Sequence, residues 1–285
     1  MLVTQLNGNA QLGISLIQSS YRRVLPRGSH YSAGDWLVMI RGAYRNLSDI
    51  MHKMITLVEK DYGTMQVTQL QKAALQERCI LVDKLDKPVG EATKQVCHEI
   101  NTEGCVPLHR AFSVFLFNSK KELLLQKRSS AKITFPNCYT NTCCSHPLAE
   151  IPNEIEEEDA IGVRRAAIRR LGYELGIPSD EIKPSDLFYL TRICYQAPSN
   201  NRWGEHEIDY ILFLQRDDLT INPNPDEVSE IQWVSRSEIE NFMKTIPLMT
   251  PWFRMIYNFK LLHWWDNLHA LAEMQDHQNI ILLTD

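Results

Sequence analysis

The sequence lacks the marks of several large protein classes. Its 285 residues contain no apolar run near the roughly 18 residues of a membrane span, so no span is predicted. There is no G-x-G-x-x-G motif to support a Rossmann sheet and no C-x-x-C pair to support a cysteine zinc site. Internal repeats and low-complexity stretches are absent. The net charge of −5 gives no indication of nucleic acid or an anionic membrane as a partner.

Acidic residues are missing from the first part of the chain. No Asp or Glu precedes Asp35, whereas arginine is frequent between Arg22 and Arg45. Residues 1–65 are therefore predicted to be an extension, either an organellar targeting segment or a disordered tail. The expected location is cytoplasmic or peroxisomal, although the C-terminal I-I-L-L-T-D matches no signal of the S-K-L type. Mitochondrial import through the extension is the alternative.

The remaining composition is that of an ordinary globular protein, with 44% hydrophobic and 23% charged residues. The seven cysteines are an odd number, and Cys143 and Cys144 are adjacent in sequence. Because a disulfide between adjacent cysteines is strained, both observations favour free thiols in a reducing compartment.

The hydrophobic pattern changes its period several times along the chain. Aliphatic and aromatic runs between polar turns predict strands, whereas three- and four-residue spacing predicts helices. The predicted strands are 79–83, 111–117, a hairpin partner from 123, 187–195, 207–215 and 231–234. The predicted helices are 66–78, 156–175, 235–245 and 251–275. This mixed order predicts an α/β (α+β) layer sandwich.

Two short segments hold groups that can do chemistry. The first, T-N-T-C-C-S-H-P at 140–147, places Cys144 two residues before His146. The second, R-W-G-E-H-E-I-D-Y at 202–210, places two glutamates two residues apart beside a tryptophan. In extended backbone such pairs share a face, so each segment can aim both groups into one cavity. A buried structural cysteine and two solvated glutamates are the alternative.

Histidines elsewhere in the chain could complete a metal site with these groups. The five candidate ligands are His98, His109, His146, Glu205 and Glu207. Mixed imidazole and carboxylate ligands suit Zn²⁺, Mn²⁺ or Fe²⁺. Because the residues are far apart in sequence, histidines with ordinary partners in the core are the alternative.

A third pattern is R-R-A-A-I-R-R-L-G-Y-E-L-G-I at 164–177. Its ending, R-x-x-x-E-x-G-apolar from Arg170, resembles the tail of the Nudix box, whose carboxylates hold a metal bound to a diphosphate. Arg170 and Tyr173 replace two glutamates of that box, and only Glu174 remains. Exchanging carboxylates for a cation favours binding a diphosphate over hydrolysing it. An exposed i,i+4 ion pair on a surface helix is the alternative.

Longer segments resemble one family, the type 1 isopentenyl-diphosphate delta-isomerases. Besides the two reactive segments, the resemblance is carried by R-S-S-A-K-I-T-F-P, L-H-R-A-F-S-V-F-L-F, T-P-W-F and W-W-D-N-L. It runs from about Met65 to about Leu268. Two departures, Asn137 where glycine is frequent and Gly172 within the box helix, fall on positions without a chemical role.

The resemblance implies a Nudix-type α/β/α sandwich with a mixed sheet, acting as a monomer on a small-molecule diphosphate. The family converts isopentenyl diphosphate to dimethylallyl diphosphate for isoprenoid and sterol biosynthesis. The implied divisions are a helix/strand segment at 66–106 that contributes a metal ligand, a Nudix-like catalytic domain at 107–248, and a C-terminal helix and tail at 249–285.

The resemblance also implies a role for each candidate residue. Cys144 and Glu207 would transfer protons, with Tyr195 beside the glutamate and Trp203 as an aromatic wall. The contacts to the diphosphate would be Lys94, Arg128, Lys132, Arg170 and Ser145. A divalent ion such as Zn²⁺ or Mn²⁺ would be held by His98, His109, His146, Glu205 and Glu207. A substrate-linked Mg²⁺ would be held by Glu174 and the backbone carbonyl of Cys144.

Two other functions are compatible with parts of this pattern. A Nudix hydrolase would release phosphate or a nucleotide monophosphate from its substrate. A zinc-binding or interaction module without catalysis would bind metal and would not need Arg128 or Lys132.

Overall fold

The computed structural model describes residues 69–284, so the predicted extension at 1–65 lies outside the described residues. These described residues belong to one compact unit. The finer boundaries at 106 and 248 stay predictions. No helix between residues 69 and 284 is long and apolar enough to cross a bilayer.

Short helices and strands follow one another in a mixed order. The helices are α1 (Gln69–Ala74), α2 (Lys94–His98), α3 (Ile161–Leu175), α4 (Ile239–Thr245), α5 (Pro251–Ile256) and α6 (Leu262–Asp266). The strands are β1 (Arg78–Val82), β2 (Pro88–Thr93), β3 (His109–Phe117), β4 (Leu123–Arg128), β5 (Tyr139–Thr140), β6 (Cys143–Ser145), β7 (Phe188–Pro198), β8 (Gly204–Gln215), β9 (Val228–Val234) and β10 (Asp276–Leu282). The predicted strands are therefore present, most of them with longer ends, and β1 is shifted by one residue.

The strands form one mixed sheet in the order β10-β7-β8-β3-β1-β2. The pairs β3–β8 and β7–β10 are parallel, and the other pairs are antiparallel. The predicted hairpin of β3 and β4 is nearly open, since the two strands pair at Phe117 and Leu123 before β4 turns to β5 and β9. This confirms the predicted α+β class and mixed sheet.

Strand β3 separates two hydrophobic cores. All nine of its residues are buried. Because successive side chains point to opposite faces, Phe115 and Phe117 join one core while Val114 and Leu116 join the other. The first core packs against α4 to α6 and the second against α3. Helices thus cover both faces of the sheet, as an α/β/α sandwich requires.

Helix α3 begins at Ile161 rather than at the predicted Glu156. Asp159 and Ala160 have φ values of 48° and 54°, which interrupts helical backbone before Ile161. The helix ends as predicted at Gly176, whose φ is 65°. A Cβ atom at Gly176 would lie 2.2 Å from the carbonyl oxygen of Asn222, so this turn requires glycine.

The segment predicted as one helix at 251–275 is divided. After α5 come a π-helical turn at Tyr257–Leu261, then α6, then a 3-10 segment at Leu268–Met274. Trp264 and Trp265 are both buried there, although adjacent residues differ by about 100° around a helix. The final strand, β10, was not predicted. Its partly exposed residues show little alternation, and it is defined by pairing with β7.

Candidate active site

A cleft opens at the end of the sheet where the central strands β3 and β8 begin. It encloses about 710 Å³, including its open mouth. The predicted residues in its lining are Lys94, His98, Arg128, Lys132, Cys144, Ser145, His146, Arg170, Tyr195, Trp203, Glu205 and Glu207. The other two predicted residues each contact the lining. His109 lies 3.5 Å from Glu207, and Glu174 lies 2.6 Å from Arg170.

Three histidines and two glutamates converge in the floor of the cleft. Each offers one ligand atom, and these five atoms all lie within 4.8 Å of one another. His98 Nε2 is 2.8 Å from Glu205 Oε2, and His146 Nε2 is 2.8 Å from Glu207 Oε1. The parallel register of β3 and β8 places His109 directly beside Glu207. All five side chains are buried, which an isolated charge would not tolerate.

The backbone orients two of these imidazoles. His98 Nδ1 lies 2.7 Å from the carbonyl of Lys94, and His109 Nδ1 lies 2.9 Å from the carbonyl of Pro107. An Nδ1–H donated to each carbonyl leaves Nε2 with its lone pair toward the centre. Within residues 69–284, His109 Nε2 is buried without a hydrogen-bond partner, and Glu205 Oε2 accepts no hydrogen bond although it lies 2.8 Å from His98 Nε2. Such orphaned ligand atoms fit a divalent metal ion.

The histidines differ in their affinity for a proton. Burial and the nearby charge of His98 lower the pKa of His146 well below its ordinary value. Burial also opposes a charge on His109, but the carboxylate of Glu207 outweighs it and raises the pKa of His109 to about 9. His109 therefore binds a proton more readily than His146, and a metal ion bound at its Nε2 would displace that proton.

Glu207 also belongs to the open part of the cleft. Its Oε2 accepts a hydrogen bond of 2.5 Å from the hydroxyl of Tyr195, on the neighbouring strand β7. Burial raises the pKa of Glu207, but His109 and Tyr195 outweigh this effect and hold it below its ordinary value. Glu207 is therefore an ionised carboxylate at neutral pH.

Cys144 lies on β6, where it pairs with Ser113 of β3. All seven cysteines are free, as predicted. Burial raises the pKa of Cys144 to about 12, with partial opposition from the charge of Arg128. Cys144 is therefore a thiol at neutral pH, in the same cleft as the carboxylate of Glu207.

The tail of the predicted Nudix box lies in one wall of the cleft. This cationic wall contains Arg170, Lys132, Arg128 and Lys94. Arg170 donates hydrogen bonds of 2.6 Å to Glu174 and 3.2 Å to Glu227. Lys132 donates a bond of 2.5 Å to Glu227. Burial raises the pKa of Glu174, but the charges of Arg170 and Lys132 lower it to about 2. Within this wall the i,i+4 pair of Arg170 and Glu174 is buried, which removes the surface-helix alternative.

Two further cations complete this wall. Arg128 donates to the backbone carbonyls of Thr134 and Phe135, and its guanidinium lies 5.7 Å from the ring centre of Trp252. Lys94 lies 3.8 Å from Glu77, which leaves its ammonium loosely paired. Arg128 is therefore held by its neighbours, whereas Lys94 is less restrained.

Seven residues of the lining were not predicted as site residues: Gln71, Ala74, Leu75, Ile133, Thr134, Glu227 and Trp252. Trp252 stands in the segment T-P-W-F, so its motif was visible but its position in the cleft was not. Glu227 is 95 positions from its partner Lys132. No local spacing connects residues so far apart, and only the fold brings them together.

Comparison with known proteins places this geometry in a class. The family model described as the NUDIX domain matches residues 107–253. Isopentenyl-diphosphate Delta-isomerase 1 of Mesocricetus auratus is 50% identical over 224 residues, covering 77% of this chain and 98% of that protein. Isopentenyl-diphosphate Delta-isomerase I of Camptotheca acuminata is 45% identical over 225 residues, covering 74% and 94%.

One further relative is named as a chloroplast protein. The chloroplastic isopentenyl-diphosphate Delta-isomerase I of Arabidopsis thaliana is 44% identical over 237 residues, covering 79% of this chain and 80% of that protein. The fold is that of a NUDIX-domain protein. Within that class, the chain belongs to the isopentenyl-diphosphate Delta-isomerase family. It is therefore an enzyme, and the resemblance found in the sequence is confirmed.

Proposed function

We propose that the cleft interconverts isopentenyl diphosphate and dimethylallyl diphosphate by adding one proton and removing another. The observation that carries this proposal is the convergence of Cys144, Glu207 and a cationic wall on one cleft. A thiol and a carboxylate are a donor and an acceptor of protons. The cations suit the charged end of the substrate, so the reactive carbons would lie between the two proton-transfer groups.

The diphosphate would bind against the cationic wall through Lys94, Arg128, Lys132, Arg170 and Ser145. Arginine suits this contact because its planar guanidinium can bond two phosphate oxygens at once. Glu174 and the backbone carbonyl of Cys144 would hold Mg²⁺ shared with the diphosphate. The His98, His109, His146, Glu205 and Glu207 set would hold a second divalent ion such as Zn²⁺ or Mn²⁺. These ions would neutralise phosphate charge and fix the carboxylates.

The proton transfers would occur on the alkene. A proton added to the terminal carbon of the double bond leaves a tertiary cation, and loss of a proton from the neighbouring methylene forms the new double bond. Cys144 and Glu207 would perform these two transfers, with Tyr195 fixing the carboxylate. Trp203 would stabilise the cation through its ring face, worth about 2 kcal/mol in a dry site. Because the enzyme must protonate a weak base, exclusion of water from the cleft also contributes.

Hydrolysis of a diphosphate receives less support from this site. Arg170 and Tyr173 occupy positions where the hydrolase motif carries glutamates, and the remaining Glu174 is paired with Arg170 at 2.6 Å. A cation that neutralises the last box carboxylate reduces the negative charge available for several metal ions.

Incubation with isopentenyl diphosphate and Mg²⁺ in D₂O, followed by NMR, tests the proposal. We expect dimethylallyl diphosphate that carries deuterium, with no inorganic phosphate released. Release of phosphate would instead support a hydrolase, and no change in a metal-loaded sample would support a binding protein. Substantial turnover by Cys144→Ala would remove Cys144 from the mechanism.

A further inference from the structure

A buried carboxylate that the mechanism above does not use lies at the back of the cationic wall. Glu227 is 3% exposed and precedes β9. Its Oε2 accepts hydrogen bonds from Lys132 Nζ at 2.5 Å and from Arg170 at 3.2 Å. Its Oε1 accepts a bond of 2.9 Å from the side-chain amide of Gln71, in α1. One carboxylate therefore joins three separate parts of the chain.

The backbone of Glu227 is fixed as firmly as its side chain. Its N–H donates to the carbonyl of Asn224 at 3.0 Å, and its carbonyl accepts from Ser129 N–H at 2.9 Å. The carbonyl of Ser129 in turn accepts from the N–H of Lys132 at 3.2 Å. The loop that carries Lys132 is thus bound to Glu227 through both backbone and side chain. A carboxylate held in this way can fix the position of the cations it contacts.

Both cations keep donors for a further anion. Lysine has three N–H donors, and the contact with Glu227 uses one of them. The Nε atom of Arg170 is buried and has no hydrogen-bond partner among the described residues. Glu227 can therefore remain in place while the two cations bind phosphate oxygens, so the carboxylate need not be displaced by the ligand.

We propose that Glu227 is a positioning residue that holds Lys132 and Arg170 in the arrangement that binds a diphosphate group. Glu227 would contact neither the reacting carbons nor the transferred protons. Its effect would fall on affinity for the diphosphate end of the substrate. This inference rests on the proposed function only for the identity of that substrate.

The charges around Lys132 give this inference a dependence on pH. Burial lowers the pKa of Lys132, and the charges of Arg128 and Arg170 lower it further. Glu227 is the largest opposing influence, followed by Glu174. Removing the charge of Glu227 lowers the pKa of Lys132 again, so Lys132 would lose its proton at a lower pH in the variant. Diphosphate affinity should then decrease as pH rises, at a lower pH than in the original protein.

Glu227→Gln tests the inference because it keeps the size of the side chain and removes its charge. Loss of a hydrogen-bonded buried charge predicts a KM for isopentenyl diphosphate about tenfold higher or more, with kcat changed much less. The Kd for inorganic pyrophosphate, measured by calorimetry with the metal-loaded protein, should rise by a similar factor. The matched control is Glu230→Gln on β9, three residues after Glu227, whose partner Lys127 lies 4.0 Å away outside the cleft.

A second variant shows whether Glu227 acts through its cations. If it does, adding Glu227→Gln to Lys132→Met should increase the pyrophosphate Kd less than the same change made alone. An unchanged or lower Kd in folded Glu227→Gln would overturn the inference. If that variant does not fold, Glu227→Asp decides, since the shorter carboxylate cannot reach both cations and must weaken pyrophosphate binding. A wild-type Kd in Glu227→Asp would then overturn it.

The two proposals fail separately in these measurements. If the original protein does not isomerise isopentenyl diphosphate, the proposed function is wrong, and the pyrophosphate comparison still decides the role of Glu227. If the protein isomerises and Glu227→Gln behaves like the original protein in both KM and pyrophosphate binding, only the role of Glu227 is wrong.

Discussion

Glu207 uses its two carboxylate oxygens for different partners. Oε1 faces His146 in the histidine cluster, and Oε2 accepts the hydroxyl of Tyr195. Burial and the charge of Glu207 raise the pKa of Tyr195 well above its ordinary value, so this hydroxyl remains a donor at every accessible pH. A single side chain thereby connects the candidate metal site with the candidate proton-transfer site.

Tyr195→Phe should remove one donor and leave the fold intact. A hydrogen bond to a charged group contributes about 1.5–3 kcal/mol, so kcat should fall roughly 10- to 150-fold. KM should change little, because the hydroxyl of Tyr195 bonds Glu207 rather than a cation of the wall. Tyr189→Phe is the matched control on β7, since Tyr189 stacks on His277 away from the cleft. Steady-state kinetics with equal effects in both variants would contradict the role of Tyr195.

The raised pKa of Cys144 can be measured by alkylation. Because the thiolate is the reactive form and the pKa is about 12, labelling by iodoacetamide should be slow at pH 7.5 and rise about tenfold per pH unit. Peptide mass spectrometry gives the rate, with the exposed Cys105 as an internal comparison. Labelling of Cys144 as fast as Cys105 at pH 7.5 would mean that burial does not hold the thiol protonated.

At the scale of elements, helix α3 carries the buried pair of Arg170 and Glu174 into the cationic wall. Arg170→Met would leave Glu174 and Glu227 buried without that guanidinium. The free energy of unfolding should fall by about 3–5 kcal/mol, as for other buried ion pairs that lose one partner. Arg165→Met, on the same helix, removes a partly exposed pair with Glu156 and should cost at most about 1 kcal/mol. Urea unfolding of both variants provides the comparison.

The charge of Glu174, on the same helix, should affect the free energy of unfolding at low pH. Glu174 has a pKa of about 2 in the folded chain and about 4.3 when unfolded, so it stabilises the fold above about pH 4. That contribution is lost as pH falls toward 2. The difference in unfolding free energy between the original protein and Glu174→Gln should therefore shrink on acidification. A difference that is constant from pH 7 to pH 3 would contradict the lowered pKa.

The sequence predicted elements where local pattern determines structure. The run that became β3 is fully buried, those that became β7 and β8 are mostly buried, and Gly176 marks the end of α3. Strand β10 escaped prediction because its pairing with β7 defines it, whereas its own pattern is weak. The same holds for the site, since motif residues were predicted while Glu227 depends on distant partners. The start of α3 was misplaced because acidic residues are common both in first turns and in the loops before them.

At the scale of the whole molecule, the candidate metal ligands come from α2, β3, β6 with its following residue, and β8. An ion at this point would stabilise only the folded chain. We expect that a chelator lowers Tm and that Zn²⁺ or Mn²⁺ restores it, with one equivalent retained by elemental analysis. His98→Asn should abolish the shift. His206→Asn is the matched control. His206 stands between the two glutamate ligands in the sequence, but its Nδ1 contacts the carbonyl of Val106 instead of the cluster. Equal Tm shifts in both variants would reject the site.

The parallel pairing of β3 with β8 also determines when the histidine cluster can form during synthesis. During synthesis the three histidines leave the ribosome before both carboxylates, and Glu207 follows His146 by 61 positions. The nascent chain therefore carries imidazoles without the partners that complete the cluster. Because β3 cannot pair with β8 until β8 has emerged, the cluster closes only after most of the sheet is made. Metal binding by the nascent chain would then follow folding of the sheet that carries the site rather than initiate it.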